Sequence, residues 1–312
     1  MIANREGTVA LSSMGWVDRD ALWRFDAAAG QAETVPLGSG ASYVSLHALA
    51  TGSDRFAVAH HFEGRRFEIS VRCFAAPSVA VARAAIGNGE SSVAGDPATW
   101  AEVPRLFVSY LAFEPWKDDV LLRVSPQTGR IEVQRFEWYD QTYDKGYQSV
   151  IDVLELPGQD HALVSVQRSS RLILHDLANG VASHTIDLGG NGGNPKLRLR
   201  DPGDEVWATD YDTLAVVRTG NWRVRKRARL QRAAAGTQQF IGDFSFPPDA
   251  DLCVVARPLA GDVVGVDART LEVTCAAQVG RQPLDVAALP GGQVVARDWK
   301  TGDLLRGTLA RR

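Results

Sequence analysis

Cysteine is almost absent from this 312-residue chain: Cys73, Cys253 and Cys275 are an odd set with no Cys-x-x-Cys pair and no Cys/His spacing. That argues against a disulfide-stapled scaffold and against a zinc module. Neither sign of charge dominates. With 34 Lys+Arg against 37 Asp+Glu and a net charge of -3, the chain as a whole has no attraction to nucleic acid or acidic lipid. No apolar run is long enough to span a membrane, and residues 1–9 (MIANREGTV) carry Arg5 and Glu6 where a signal peptide needs an apolar stretch. The expectation is a cytoplasmic protein with no membrane partner. Gly-x-Ser-x-Gly, His-Glu-x-x-His and P-loop signatures are missing, and the Gly/Asn-rich stretch 189–194 lacks the Lys and following helix that phosphate cradling requires. Helical periodicity is missing as well, since no apolar pattern holds a 3.6 period over three turns.

What is present is an all-β pattern. Period-two runs of five to eight residues recur between Gly, Pro, Asp and Asn, among them Phe56 to His60, Phe67 to Val71, Leu106 to Tyr110, Ala162 to Val166, Leu172 to His175 and Leu252 to Ala256. They come in groups. The phrase DVLELPGQDHALVSV from Asp152 returns as DVAALPGGQVVAR from Asp285, and more loosely from His47, Leu197 and Asp243. These anchors lie 105, 45, 46 and 42 residues apart, and the long gap holds one more unit beginning near Thr99. A second hairpin follows each, with turns such as Asp26 to Gly30, Ser125 to Gly129 and Asp176 to Gly180, where Gly supplies the positive φ the turn needs. Four strands per unit of this length is the period of propeller blades. Incomplete units at the two ends, three strands each, predict seven blades with the termini sharing one.

The segments Asp152 to Gly158 and Asp285 to Gly291, with the hairpins that follow them, resemble seven-bladed β-propellers of the YVTN and WD40-like superfamily. The YVTN tetrapeptide and the Gly-His and Trp-Asp signatures are not there, so the resemblance is to a fold. It implies one propeller domain over residues 1–312, with four-stranded antiparallel blades around a central channel and ligand sites at the channel mouth.

In that register the loops between second and third strands carry Trp116, Asp210, Tyr211, Asp298 and Trp299, a polar and aromatic rim. The connection 137–148 adds Trp138, Tyr139, Tyr143 and Tyr147, four amphipathic rings of the kind that anchor proteins and sugars, and it is the best single contact element. His47, Asp152, Asp243 and Asp285 open the channel-facing strands at equivalent positions, and His60 lies nearby; together they offer oxygen and nitrogen ligands for a divalent cation. The plainer reading of a polar residue recurring in every repeat is a backbone cap or a water site. The one basic cluster, Trp222 to Arg232, places Arg223, Arg225, Arg227 and Arg229 on one face of an outermost strand, which discourages edge-to-edge association. Nucleic acid is not an expected partner, because no aromatic platform shares that face.

The functional expectation is therefore a non-enzymatic binding propeller for a protein or small molecule; the alternative is a lactonase-like, metal-assisted hydrolase or lyase. Alanine at Trp138 and Tyr143 is expected to remove partner binding while leaving the thermal midpoint unchanged, which a pull-down paired with a melting curve checks.

Overall fold

The structure is a computed structural model. It describes residues 1–4, 6–13, 21–37, 41–49, 54–62, 66–87, 90–108, 120–135, 150–156, 158–166, 168–190, 192–193, 195–200, 203–230 and 241–311. These fall into two compact units, Met1–Arg135 and Phe136–Arg312.

The first unit has three antiparallel sheets. β1 (Ile2–Ala3), β2 (Val9–Ser13), β3 (Ala21–Asp26) and β4 (Gln31–Pro36) form one; β5 (Ala41–Ala48), β6 (Arg55–Phe62), β7 (Arg66–Cys73), β8 (Ala80–Gly87) and β9 (Glu90–Ala94) the next. After a short helix, Pro97–Ala101, the third comprises β10 (Leu106–Val108), β11 (Val120–Ser125) and β12 (Arg130–Arg135). In the second unit β13 (Val150–Glu155), β14 (His161–Val166), β15 (Arg171–Asp176) and β16 (Val181–Asp187) are followed by β17 (Leu197–Arg200), β18 (Glu205–Asp210), β19 (Thr213–Arg218) and β20 (Arg223–Arg229). Then come β21 (Phe244–Ser245), β22 (Leu252–Arg257), β23 (Asp262–Asp267) and β24 (Val273–Ala277), and last β25 (Pro283–Ala288), β26 (Gln293–Asp298) and β27 (Leu304–Thr308). Each sheet is a meander in chain order, as the repeated hairpin phrase predicts.

Both ends depart from expectation. The N-terminal sheet is complete, because the two-residue β1 pairs Ile2 with Leu11 and Ala3 with Ala10. Asn4 explains how so short a strand is held: its Oδ1 accepts from the amides of Thr8 and Val9 and closes the turn. The last strand, β28 (Ala310–Arg311), does not finish a sheet with the N-terminal residues but adds to β24 as a fifth strand.

The turn chemistry is constant. Gly30, Gly129 and Gly180 have φ near +62 to +70°, and their amides bond to the carbonyls of Asp26, Ser125 and Asp176. Asp26 and Asp176 also take two turn amides each on Oδ1; these amides hold the Asp26 carboxyl below its usual range, and the Asn179 side-chain amide on Oδ2, with the turn amides, does so for Asp176. In the β23–β24 turn the left-handed position is Leu271, φ +63°, whose side chain is buried among Val264, Val266 and Phe244.

The middle strands β14, β18, β19, β22 and β23 are buried on both faces, and their alternate residues serve different neighbours. On β18, Val206 and Ala208 face a core shared with β14 and β15, whereas Trp207 faces one shared with β22 and β23. On β22, Cys253 and Val255 join that second core, and Val254 and Ala256 a third one with β25 and β26. Trp207 is the largest side chain sealed between sheets, edge-on to Phe246 at 5.3 Å. Trp207→Ala is expected to cost about 3–5 kcal/mol and Trp207→Phe less than half of that, read by urea denaturation.

Candidate ligand-binding face

The second-to-third-strand turns of the second unit, around Arg168, Asp210–Asp212, Arg257–Gly261 and Asp298–Gly302, lie at one end of their sheets. The last three are tied to the connection arriving from the preceding sheet by the residue that ends the second strand. Asp298 is buried; its Oδ2 accepts from the amides of Arg281 (2.9 Å) and Gln282 (3.0 Å) and its Oδ1 from Lys300 (2.9 Å) and Thr301 (3.3 Å). Asp210, fully buried, takes the Gly193 amide on Oδ1 at 2.6 Å. The sixth sheet uses the opposite charge. Arg257 donates to Asp262 through Nε (2.8 Å) and Nη2 (2.5 Å) and to the Leu230 carbonyl through Nη1 (3.2 Å).

Glycine is required where these connections meet the clamps. A Cβ on Gly193 would lie 2.4 Å from the Tyr211 amide nitrogen, and one on Gly190 would lie 2.0 Å from Asp210 Oδ2. Gly190 and Gly193 thus serve close packing against Asp210 and Tyr211.

Asp210 and Asp298, both read from the sequence as rim ligands, therefore point inward, and their environments push them apart. Burial raises Asp210, with Asp212 and Asp187 adding to the effect against the Gly193 and Gly192 amides. Burial raises Asp298 too, but four backbone donors outweigh it and its carboxyl sits below the usual range. The stabilisation from Asp298 is present above the ordinary carboxylate pKa and fades as pH falls through its depressed value; for Asp210 the favourable contribution lies below the ordinary value and is lost as pH rises through its raised one.

Of the five candidate cation ligands, His47 and His60 belong to the first unit and Asp152, Asp243 and Asp285 to the second, where arginine engages all three carboxylates. His47 is half-buried on β5, and His60 is buried on β6 with Nε2 3.7 Å from Glu68 Oε1. Asp152 accepts from the Leu197 amide at 2.9 Å and lies 3.5 Å from Arg198 Nη1, whose Nη2 donates to Asp243 Oδ1 at 2.8 Å. Asp285 accepts from Arg297 Nε at 2.6 Å and from its Nη2. Arginine supplies the cation along the first strands: Arg198 is itself held more firmly protonated, its burial outweighed by Asp243, Asp152 and Asp285. Among the described residues no group of three or more His, Cys, Asp or Glu is arranged to hold a metal ion. The three carboxylates of the second unit are already answered by the guanidinium groups of Arg198 and Arg297.

Two large apolar side chains are exposed at that end. Trp299 is 53% exposed and Leu259 51% exposed, on the corresponding turns of the last two sheets. Residues 278–282 join the two turns: the Gln278 side chain donates to the Gly261 carbonyl, and the Trp299 amide to the Gln282 carbonyl at 2.8 Å. Arg281 and Lys300 are exposed beside Trp299. Sequence reasoning named Trp299 but missed Leu259, whose only signal is an apolar residue at a turn centre after Pro258. Tyr211 occupies a left-handed position, φ +48°, and its carbonyl accepts the Ile241 amide. Trp116, Trp138, Tyr139, Tyr143 and Tyr147 lie outside the described residues.

No family model matches the chain, and no curated protein sequence does. Among solved structures 1116 chains match, a breadth that belongs to a fold and not to one activity. The chain is similar to the β-propeller domain of Cps50 (Swd1) from Myceliophteria thermophila, with a TM-score of 0.67 over 99% of this chain and 95% of that one, at 10% identity. The chain has a β-propeller fold. At that identity the likeness concerns the fold alone, and it agrees with the WD40-like resemblance carried by the Asp152 and Asp285 repeats. No described helix of the propeller is long and apolar enough to cross a membrane.

Asp298→Ala is expected to cost on the order of 3 kcal/mol at neutral pH. That loss should shrink between neutral pH and an acidic pH below the ordinary carboxylate range, on the way down to the depressed value of Asp298. Urea midpoints of both proteins at the two pH values check it.

Proposed function

We propose that the propeller is a non-enzymatic protein-binding module that engages its partner through the second-to-third-strand turns of its last two sheets. The observation that carries this reading is the pair Trp299 and Leu259, exposed on adjacent turns whose backbones are pinned by Asp298 and Arg257. Large apolar groups on rigid turns lose little entropy on contact, and a half-exposed Trp beside Arg is the composition of an interface anchor. Arg281 and Lys300 beside Trp299 favour a partner segment that pairs an apolar side chain with carboxylates. WD40-type propellers serve commonly as protein-interaction scaffolds, and the inward-facing Asp210 and Asp298 support a contact surface over a reaction centre.

Selection of a displayed random-peptide library on the wild-type protein tests this. Enriched peptides are expected to carry an aromatic or aliphatic residue next to Asp or Glu, and to bind Trp299→Ala and Leu259→Ala at least about tenfold more weakly, a loss of 1.4 kcal/mol or more. Val181→Ala, an exposed apolar site on β16, should bind as wild type does. Peptides that ignore Trp299→Ala and Leu259→Ala would sink the reading.

A further inference from the structure

β20 has more positive charge than any other outer strand, and the structure changes how that charge is displayed. Between Val216 and Val217 the register with β19 slips, leaving Arg225 as the extra residue of a β-bulge. Val224 packs into the core on one side of the sheet and Ala228 into the core on the other, although residues four apart on a regular strand face the same way. The four arginines predicted to share one face are therefore divided: the bulge flips the alternation after Arg225. Arg225 meets Glu205, Lys226 donates to the Arg269 carbonyl, and Arg227 lies against Gly189 on the opposite side.

The same bulge occurs in other sheets, and two of those carry an additional strand just past it. On β24 the extra residue is Thr274, and β28 pairs with Cys275 and Ala276. On β8 it is Val81, and β9 pairs from Arg83 to Gly87. Counted from the bulge, the corresponding edge of β20 is Lys226–Arg229, which pairs only with β19 among the described strands.

Edge protection does not account for the charge on this strand. β20 holds five cations and no carboxylate between Arg223 and Arg229, whereas β4, β16 and β27 present their edges with at most one Lys or Arg each. Glu205 and Asp212 answer Arg225 and Arg229, and no described carboxylate pairs with Arg223, Lys226 or Arg227. From this we infer that the Lys226–Arg229 edge receives an extended acidic segment of a partner protein as an added antiparallel strand, its Asp and Glu side chains meeting Arg227 on one face of the sheet and Lys226 on the other. A polypeptide is favoured over nucleic acid because only a polypeptide can use the open backbone edge, and no aromatic residue past the bulge offers a base a stacking surface.

The probes are a fluorescent peptide of alternating Glu and Thr, the same peptide methylated on alternate backbone nitrogens, and an oligouridylate of equal charge. By anisotropy the plain peptide is expected to bind, and to bind about tenfold or more weakly to Lys226→Glu/Arg227→Glu at an unchanged melting temperature. Methylation should weaken binding comparably. Lys226→Gln/Arg227→Gln, which adds no repulsion, should give a smaller loss in the same direction and serves if the first variant does not fold. Absence of peptide binding, equal affinity for the methylated peptide, indifference to both variants, or preference for oligouridylate would each overturn the inference. Trp299→Ala is expected to leave peptide binding intact, so this result and that for the turn surface stand or fall separately.

Discussion

A strand that is apolar on both faces cannot be satisfied by one partner sheet, and this molecule's organisation follows from that constraint. Val206 and Ala208 need burial on one side of β18 and Trp207 on the other, so the sheet has a neighbour at each face. β22 repeats the arrangement, with Cys253 and Val255 turned one way and Val254 and Ala256 the other. Each core is shared by two consecutive sheets, and the sheets of β5–β9, β17–β20 and β21–β24 each contribute to two cores. Face-to-face packing of antiparallel sheets governs the fold, and the loops are positioned by it.

Packing by apolar contact is non-directional, and the polar groups supply the angular precision. Asp210, Arg257 and Asp298 end the second strands of consecutive sheets and each grips the connection arriving from the sheet before. Opposite charges do the same job because a backbone offers both donors and acceptors: the carboxylates take amides, and the guanidinium takes a carbonyl while its charge is answered by Asp262. Along the first strands Arg198 bridges Asp152 and Asp243, giving the inner edges a charge-balanced row. Buried charge is thus spent on registry between sheets, and the groups left for contact are those on turn tips and on the outer edge of β20.

These roles explain what could be read from residues and what could not. The hairpin phrase from Asp152 and from Asp285 was legible because a meander puts its turn and its strands in one continuous stretch, and local chemistry decides both. Trp299 was legible for the same reason, being apolar beside a turn. Asp210 and Asp298 were found as special but not as clamps, since a loop aspartate facing solvent and one gripping a distant amide look alike in sequence; the amides of Gly193, Arg281 and Gln282 that they grip are 16 or 17 residues away. The arginines of β20 were misjudged because alternation assumes a regular ladder, and the slip at Arg225 arises from pairing with β19.

The sequence by itself determined the all-β class, the meander repeats, the turn positions and the absence of a nucleophile or phosphate motif. Each of these depends on residues within a few positions of one another, where propensity and turn geometry act. Only the tertiary structure decided that Asp152, Asp243 and Asp285 are answered by Arg198 and Arg297, that the last strand joins β24, and which side of each sheet a buried residue serves. Those outcomes rest on contacts between strands, across 12 to 45 residues, or around a bulge, and no local pattern encodes which group arrives there.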